Sequence, residues 1–456
     1  MTLPPVKIPK DLHTAAKIFA EAGYQCWLVG GAVRDGLLNK ATEDFDLATD
    51  AEPETVTRLF KRTIPTGIKH GTVTILLGKH KFETTTFRRD GKYTDGRRPD
   101  SIHYSTDILE DLSRRDFTIN AIAWDLINRR LLDPHKGRQD LKKGIIRAIG
   151  KPRERLNEDG LRSIRACRLA SQLNFRVESR TLEAISGTLE NVPGLSIERI
   201  WEELKKILRS PSPSTALNLF AQTGLLKIIL PELDECRGVT QKGRHTLDVY
   251  DHSLAACDAA PAGSPAVRTA ALFHDIAKPR VKTTDSRGEV IFHNHDTVGA
   301  EMTDSILKRM KASNAERERV VRLVRHHMFH YTSEWTDAAV RRFMNRVGLD
   351  ILDDLMALRQ ADAAAIAPGR TPLLTHLEEL VERVDGILES ETALSIGDLA
   401  VNGRDIMSAL NIKGGPAVGE LLKYLLECVL EDPEVNQREK LLEMARRRID
   451  YYNLNT

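Results

Sequence analysis

The chain has 456 residues, 41% hydrophobic and 29% charged, which is the composition of a soluble protein long enough for three or four domains. Its net charge of +2 excludes a uniformly basic protein, so a nucleic-acid surface would have to come from local clusters of Lys and Arg. Five widely spaced cysteines without a C-x-x-C pair argue against a disulfide framework or a zinc ribbon. We expect a largely helical protein, because Leu, Ala, Arg and Glu dominate and only 5% of the residues are aromatic. We expect it to be cytoplasmic and without a membrane segment, because no signal core or long apolar run is present.

A helix over 11–22 is followed by the apolar run Cys26–Val29, which predicts a strand. Gly30 and Gly31 come next, ahead of a helix that carries Arg34. Backbone without side chains at the start of a helix lets a triphosphate approach the amide groups and the positive end of the helix dipole.

Two carboxylates follow, Asp44 and Asp46, separated by Phe45. Successive side chains of a strand point to opposite faces, so both carboxylates should emerge on one side of a sheet. Paired oxygen ligands of this kind suit Mg²⁺ and nucleotidyl transfer with two metal ions. Taken separately, the two motifs would be a polar strand edge and an ordinary turn, but their order along the chain favours a catalytic site.

Residues 53–62 predict a helix, and 72–77 with 81–87 predict a β-hairpin. Glu83 in its second strand is a candidate third catalytic carboxylate, although a Glu among threonines is more often a solvated residue. The charged stretch 88–113 predicts a long loop that moves over bound substrate, or else a solvated insertion.

Residues 114–125 become apolar at helical spacing and predict a helix that begins with Arg115 and Asp116. These two side chains could meet the phosphate and ribose hydroxyls of a nucleotide, and Asn120 could add an amide. A capped helix with an internal Arg–Asp pair is the alternative. Residues 133–141 contain two acids around a glycine turn.

Residues 157–175 predict a helix with Glu158, Arg162 and Arg165 on one face and Asp159 beside them. Such faces are usually solvated and only weakly stabilising. However, Arg donates two parallel hydrogen bonds and Asp accepts one from an amine, which are the groups needed to read a base edge.

These stretches resemble the motifs of the class II tRNA nucleotidyltransferases, the family of CCA-adding enzymes and bacterial poly(A) polymerases. The likeness lies in G-G-x-V-R-D-x-L-L with D-F-D-L-A-T, in R-R-D-x-x-x-N, in the short segment 133–141, which resembles the family's hinge motif, and in E-D-x-x-R. It implies that Asp44 and Asp46 hold Mg²⁺, that Gly31 and Arg34 contact phosphates, and that Arg115 and Asp116 bind the ribose. The nucleotide-binding residues that it implies are Gly30, Gly31, Arg34, Arg115, Asp116, Asn120, Glu158, Asp159, Arg162, Arg165 and Arg168.

Further along, histidines concentrate between 245 and 330. A single histidine is usually a core or surface residue, but a series of imidazoles and carboxylates on successive helices is typical of metal ligands. The series resembles the HD phosphohydrolase domain, and such ligands favour Mn²⁺, Ni²⁺, Co²⁺ or Fe²⁺. Its predicted members are His252, His274, Asp275, His295, His326 and Asp362.

The family resemblance implies an α+β, mostly helical fold with a polymerase-β-like sheet domain first. We predict four domains: a nucleotidyltransferase head at 1–150, a helical neck for nucleotide selection at 151–240, an HD-like domain at 241–365 and a helical tail for tRNA binding at 366–456. The predicted function is addition of CCA to tRNA 3′ ends from CTP and ATP. Addition of A only, of CC only or of poly(A) stays open, as does a protein that is mainly an HD hydrolase.

Overall fold

The computed structural model describes residues 8–68, 71–90, 102–241, 247–366, 372–390 and 393–455. Its contacts divide the chain into two compact units, Met1–Asp234 and Glu235–Thr456. The α+β, mostly helical fold class is confirmed, since one sheet domain near the N-terminus is followed by helices. The finer division into four domains stays a prediction.

The first part of unit 1 alternates short helices and strands. In chain order its elements are α1 Lys10–Glu21, β1 Cys26–Val29, α2 Gly31–Leu37, β2 Asp46–Thr49, α3 Pro53–Leu59, β3 Thr63–Gly67, β4 Thr72–Leu77, β5 His80–Thr86, β6 Arg88–Asp90, β7 Ile102–Tyr104, α4 Ile108–Ser113, β8 Ala123–Asp125, β9 Arg130–Leu132, α5 Gly137–Lys143 and β10 Ile145–Ile146.

Seven of these strands form one sheet in the order β3-β4-β5-β2-β1-β8-β9. The central strands are β1 and β2, which pair antiparallel, while β2 and β5 pair parallel and set Asp46 beside Glu83. Both central strands are almost entirely buried, because helix α4 and the chain around residue 121 pack on one face. The packed residues are Trp27, Val29, Ala48, Phe87, Ile108, Leu112, Ala121, Ala123 and Ile149. This packing fixes the edge from which the predicted site residues project.

Three local predictions in this part were wrong. The helix predicted for 53–62 ends at Leu59, and β3 follows it. The stretch 88–113 is not one loop, because β6 pairs with β7 and helix α4 follows; residues 91–101 lie outside the described residues. The helix predicted for 114–125 is instead a single 3₁₀ turn, Thr118–Asn120, followed by strand β8.

The rest of unit 1 is helical apart from a short strand. Its elements are α6 Pro152–Glu158, α7 Leu161–Leu173, β11 Arg176–Val177, α8 Ser179–Ser186, α9 Ile197–Leu208, α10 Pro213–Thr223, α11 Leu225–Ile229 and α12 Pro231–Asp234. The helix predicted for 157–175 is interrupted, because Asp159 takes an extended conformation (φ −148°, ψ 107°) between α6 and α7.

Unit 2 is helical with one small hairpin. Its elements are α13 Val249–Ala259, α14 Pro265–Phe273, α15 Lys278–Val281, β12 Thr283–Thr284, β13 Val290–Ile291, α16 His295–Arg309, α17 Asn314–His326, α18 Asp337–Val347, α19 Leu352–Ile366, α20 Pro372–Glu389, α21 Gly403–Leu410, α22 Pro416–Glu431 and α23 Arg438–Asn455.

In the tail, Gly403 starts α21, Gly414 and Gly415 precede α22, and Gly419 lies inside α22. All five cysteines are free. Among the described residues, no helix has both the length and the apolar character needed to cross a bilayer.

Candidate active site

The two carboxylates of the D-x-D pair lie at the start of β2. Asp46 is the first residue of the strand, and Asp44 lies two residues before it. Contrary to the prediction, Asp44 is therefore not a strand residue. The expected alternation still holds, because the intervening Phe45 and the following Leu47 are buried while Asp44 is exposed and Asp46 partly exposed. Glu83, the neighbour of Asp46 on β5, is also exposed.

Negative charge accumulates at this edge of the sheet. Burial raises the pKa of the Asp46 carboxyl to about 6, and the charges of Asp44 and Glu83 add to the rise. Arg115 and Arg165 oppose it without cancelling it. A pair of adjacent carboxylates that repel each other and lack full compensation from the protein fits a bound divalent cation.

The Gly30–Gly31 turn lies directly beside the carboxylates. Gly30 has φ +70°, and a Cβ atom there would lie 3.3 Å from Arg115 Nη1 and 3.6 Å from Asp46 Oδ2. A side chain at this position would therefore strain the backbone and crowd both charged groups. Helix α2 starts at Gly31 and presents Arg34, which pairs with Asp35 through Nε at 2.9 Å and Nη2 at 3.0 Å.

A chain of polar contacts joins Arg34 to helix α7. Arg34 Nη1 donates to Asn120 Oδ1 at 2.8 Å, and Asn120 Nδ2 donates to Asp116 Oδ1 at 3.1 Å. Arg165 Nη2 lies 3.2 Å from Asp116 Oδ2. Burial alone would raise the pKa of Asp116, but Arg165 and Asn120 outweigh it and lower the pKa to about 2, which keeps this buried carboxylate ionised.

The turn that carries Arg115 and Asp116 is held from behind by one buried acid. Asp111, on α4, pairs with Arg114 Nη2 at 2.7 Å and with Arg115 Nη2 at 3.0 Å. These two arginines outweigh the effect of burial and lower the pKa of Asp111. The sequence interpretation assigned no role to Asp111.

The base-reading candidates are Asp159, which lies between α6 and α7, and the arginines of helix α7. Asp159 Oδ1 accepts from the backbone nitrogen of Leu161 at 3.1 Å, and its Oδ2 pairs with Arg199 Nη2 at 2.7 Å. Arg168 pairs through Nε with the buried Glu203 at 2.5 Å. Burial lowers the pKa of Arg168, while the Asp116 carboxylate raises that of Arg165.

These groups surround one cavity of about 850 Å³ within unit 1. It brings together every predicted nucleotidyltransferase residue except Glu158. Among its lining residues are Gly30, Gly31, Arg34, Asp44, Asp46, Glu83, Arg115, Asp116, Asn120, Asp159, Arg162, Arg165 and Arg168. Glu158 stays outside the lining, because Arg155 and Arg162 take its carboxylate.

Sequence reasoning missed seven further polar lining residues. They are Asp35, Thr42, Thr85, Arg88, Arg114, Arg199 and Lys206. Arg114 carried a signal, since it is the first residue of the R-R-D motif. Arg199 and Lys206 lie on α9, where the strong apolar periodicity indicated only a core helix.

Unit 2 contains a second polar cluster, supplied by α13, α16 and α19 and by the residues just after the ends of α14 and α17. Four imidazoles and two carboxylates are buried together: His252, His274, Asp275, His295, His327 and Asp362. His252 Nε2 lies 3.2 Å from His274 Nε2 and 3.0 Å from Asp362 Oδ1. His274 Nε2 lies 3.2 Å from Asp275 Oδ2. The predicted ligand His326 was wrong, because its neighbour His327 occupies the cluster.

Three of the four imidazoles of this cluster make the same hydrogen bond to the backbone. Nδ1 of His274, His295 and His327 donates to a backbone carbonyl three residues earlier, at 2.7 to 2.8 Å. This fixes the tautomer in which Nε2 carries a lone pair. Within the described residues, Nε2 of His295 and of His327 is buried without a hydrogen-bond partner. Groups of these side chains bring one ligand atom each within 4.8 Å of one another, which fits a metal ion.

Models of known families match three segments of the chain. The Poly A polymerase head domain matches residues 26–147, and the probable RNA and SrmB-binding site of polymerase A matches 174–237. A model described as tRNA nucleotidyltransferase domain 2, putative, matches 290–445.

Whole-chain relatives agree with these segments. A CCA-adding enzyme of Enterococcus faecalis is 31% identical over 96% of this chain and 97% of its own length. An A-adding tRNA nucleotidyltransferase of Deinococcus radiodurans is 35% identical over 88% of this chain and 90% of its own. The crystal structure of the Bacillus stearothermophilus CCA-adding enzyme in complex with CTP superimposes with a TM-score of 0.76 at 27% identity and covers 98% of this chain and 99% of that one.

Proposed function

This chain belongs to the class II tRNA nucleotidyltransferase family, and we propose that it adds CCA to the 3′ ends of tRNA from CTP and ATP. The observation that carries the proposal is the cavity of unit 1, which holds the carboxylate pair, the Gly30–Gly31 turn and the Asp159 and Arg162 side chains together. A volume of about 850 Å³ is in the range of small-molecule sites and accommodates a nucleoside triphosphate.

The family uses a divalent metal ion, and we propose that Asp44 and Asp46 hold Mg²⁺ in this chain. When bound, the ion lowers the pKa of a coordinated hydroxyl and neutralises phosphate charge. Glu83 adds a third carboxylate beside Asp46. The proposal is supported by the raised pKa of Asp46, which results from burial and from the neighbouring charges of Asp44 and Glu83.

The remaining lining residues divide by the chemistry of the nucleotide. The amide of Gly31 and the guanidinium of Arg34 bind phosphates. Arg115 and Asp116, with Asn120, bind the ribose. Template-free selection falls to Asp159, between α6 and α7, and to Arg162 on α7: Asp159 accepts from the exocyclic amine that cytosine and adenine share, and Arg162 donates to the neighbouring acceptor. Arg165 and Arg168 complete this wall of the cavity.

The function is tested with purified protein and tRNA that lacks one, two or all three terminal nucleotides, each incubated with a single nucleotide. We expect CTP to extend tRNA lacking two or three residues and ATP to extend only tRNA that ends in CC. Extension only by ATP would identify A addition, the activity named for the Deinococcus radiodurans relative. Repeated addition of A would identify poly(A) synthesis. Either result would contradict the proposal.

We also propose a second activity, metal-dependent phosphohydrolysis, at the histidine cluster of unit 2. It is supported by the Nε2 atoms of His295 and His327, which lie 3.4 and 3.9 Å from Asp275 Oδ1 but are buried without a hydrogen-bond partner in the described part of the chain. Burying such polar groups costs stability unless they have a ligand. The ligand set favours Mn²⁺, Ni²⁺, Co²⁺ or Fe²⁺. A transition metal bound there would supply an activated water suited to phosphate esters such as a 2′,3′-cyclic phosphate.

The test of this second activity is hydrolysis of a 2′,3′-cyclic nucleotide with each metal, by the wild type and by His274→Ala/Asp275→Ala. We expect hydrolysis with at least one transition metal and none in the double variant. Absence of hydrolysis with every metal would contradict this second activity.

We also propose that the tail binds tRNA and that the protein is cytoplasmic, which is consistent with a role in tRNA processing.

A further inference from the structure

One guanidinium outside the cavity holds the chain segment that leads into it. Arg155, on α6, donates from Nη2 to the carbonyl oxygen of Ser113 at 2.8 Å and from Nη1 to that of Arg114 at 3.1 Å. Its Nε donates to the carbonyl oxygen of Ile149 at 3.3 Å. Arg155 therefore fixes the backbone immediately before Arg115, although it does not line the cavity.

Arg162 shares one of these acceptors, the carbonyl oxygen of Arg114, with Arg155. Its Nη1 donates to the carbonyl oxygen of Arg155 at 2.8 Å, and its Nη2 donates to the carbonyl oxygen of Arg114 at 3.1 Å. Glu158 pairs with both guanidiniums, with Arg155 Nη1 at 2.9 Å. The start of α7 and the turn before Arg115 are thus joined through one carbonyl oxygen and one carboxylate.

The contacts of Arg162 leave part of its donor set unused. A guanidinium has five N–H donors, and three acceptors, Glu158 and the carbonyls of Arg155 and Arg114, engage three of them. The donors left over are Nε–H and one Nη2–H, and Nε has no hydrogen-bond partner in the described part of the chain. Arg162 is only 8% exposed yet lines the cavity, so these donors are available to a ligand there.

We infer that Arg155 is a positioning residue for nucleotide selection, which it performs through Arg162 and through the turn before Arg115. This inference rests on the proposed function of the cavity. Cytosine and adenine differ from uracil and guanine in the order of donors and acceptors on the base edge, so discrimination requires the reading donors to be held in one orientation. A loosely held guanidinium would rotate to satisfy the wrong base.

Arg155→Lys tests the inference, because a lysine keeps the charge but its single nitrogen cannot span the two carbonyls and Glu158 at once. We expect the preference for CTP over UTP and for ATP over GTP, measured as ratios of kcat/KM, to fall about ten-fold. The kcat with saturating CTP should fall by less than about three-fold, since the carboxylate pair is untouched.

The matched control is Arg153→Lys on the same helix. Arg153 is exposed and outside the cavity, so this variant should keep wild-type selectivity and rate. Arg155→Lys with wild-type selectivity would overturn the inference, and so would a fall in kcat with unchanged selectivity, which marks a merely structural role. A wild type that adds no nucleotide to tRNA would instead contradict the proposed function.

Glu158→Gln provides a second, milder variant. It keeps the carbonyl contacts of Arg155 and removes only the charge shared by the two guanidiniums. We expect the same preferences for CTP over UTP and for ATP over GTP to fall by about three-fold. Thermal unfolding of each variant shows whether it remains folded. If Arg155→Lys does not fold, wild-type selectivity in Glu158→Gln overturns the inference.

Discussion

At the residue scale, Asp44 and Asp46 bear most directly on catalysis. Replacing either by Ala should lower nucleotide addition at least about 100-fold, because each substitution removes one of the two carboxylates proposed to hold Mg²⁺. The fold should persist, since Asp44 is exposed and loss of Asp46 removes repulsion from Asp44 and Glu83. Single-turnover addition and thermal unfolding measure the two effects.

Glu43→Ala is the control for this pair. Glu43 is an exposed acid next to Asp44 that does not line the cavity, so its replacement should leave the rate unchanged. Near-normal addition by both aspartate variants would show that the catalytic carboxylates lie elsewhere.

Asp159→Ala should relax selection of the base before it removes activity. The substitution deletes the acceptor for an exocyclic amine and leaves Arg199 without its 2.7 Å partner. A lost buried partner costs about 1 to 3 kcal/mol, so we expect misincorporation of UMP to rise well above that of the wild type. Unchanged kcat/KM ratios among the four nucleotides would show that residues other than Asp159 select the base.

Residue types and spacing predicted the carboxylate pair Asp44 and Asp46 and most of the cavity lining. At the histidine cluster they predicted every member except His327. The choice of His326 over His327 ignored the phase of α17, where Val320, Leu323 and Val324 are buried and His327 continues their three- and four-residue spacing. Contacts between distant segments, such as Arg199 with Asp159, left no trace in local patterns.

At the element scale, the errors have physical causes. Strand β8 lies between β1 and β9, and residues 116–126 are buried throughout. The sequence of this stretch therefore lacks the alternation of polar and apolar residues that indicates a strand with one exposed face. The interruption between α6 and α7 did leave a signal, because Asp-Gly is a turn-forming pair. That interruption gives Asp159 an extended backbone, and its carboxylate lines the cavity, where it pairs with Arg199.

The segment between β6 and β7 provides an element-scale prediction. From the family resemblance, we propose that the charged segment 88–113 supports the switch to addition of A. We expect replacement of 91–101, which lie outside the described residues, by a short glycine linker to abolish addition of A while CC addition continues. Gel analysis of the extended tRNA would show products that stop at CC. Completion of CCA at the normal rate by the shortened protein would contradict this role.

At the scale of the whole molecule, the two proposed chemistries lie in separate compact units with different ligand sets. His274→Ala/Asp275→Ala should therefore leave the rate of nucleotide addition unchanged and abolish hydrolysis. Asp46→Ala should do the reverse. Loss of both activities in either variant would show that the sites depend on each other.

The most direct measurement of the central claim is the sequence of the product. Purified protein is incubated with tRNA that lacks all three terminal nucleotides and with all four nucleoside triphosphates and Mg²⁺, and the new 3′ ends are sequenced. We expect C, C and A in that order, with addition ending there, and no product from Asp44→Ala. Ends of any other sequence, or A residues added beyond the third position, would contradict it.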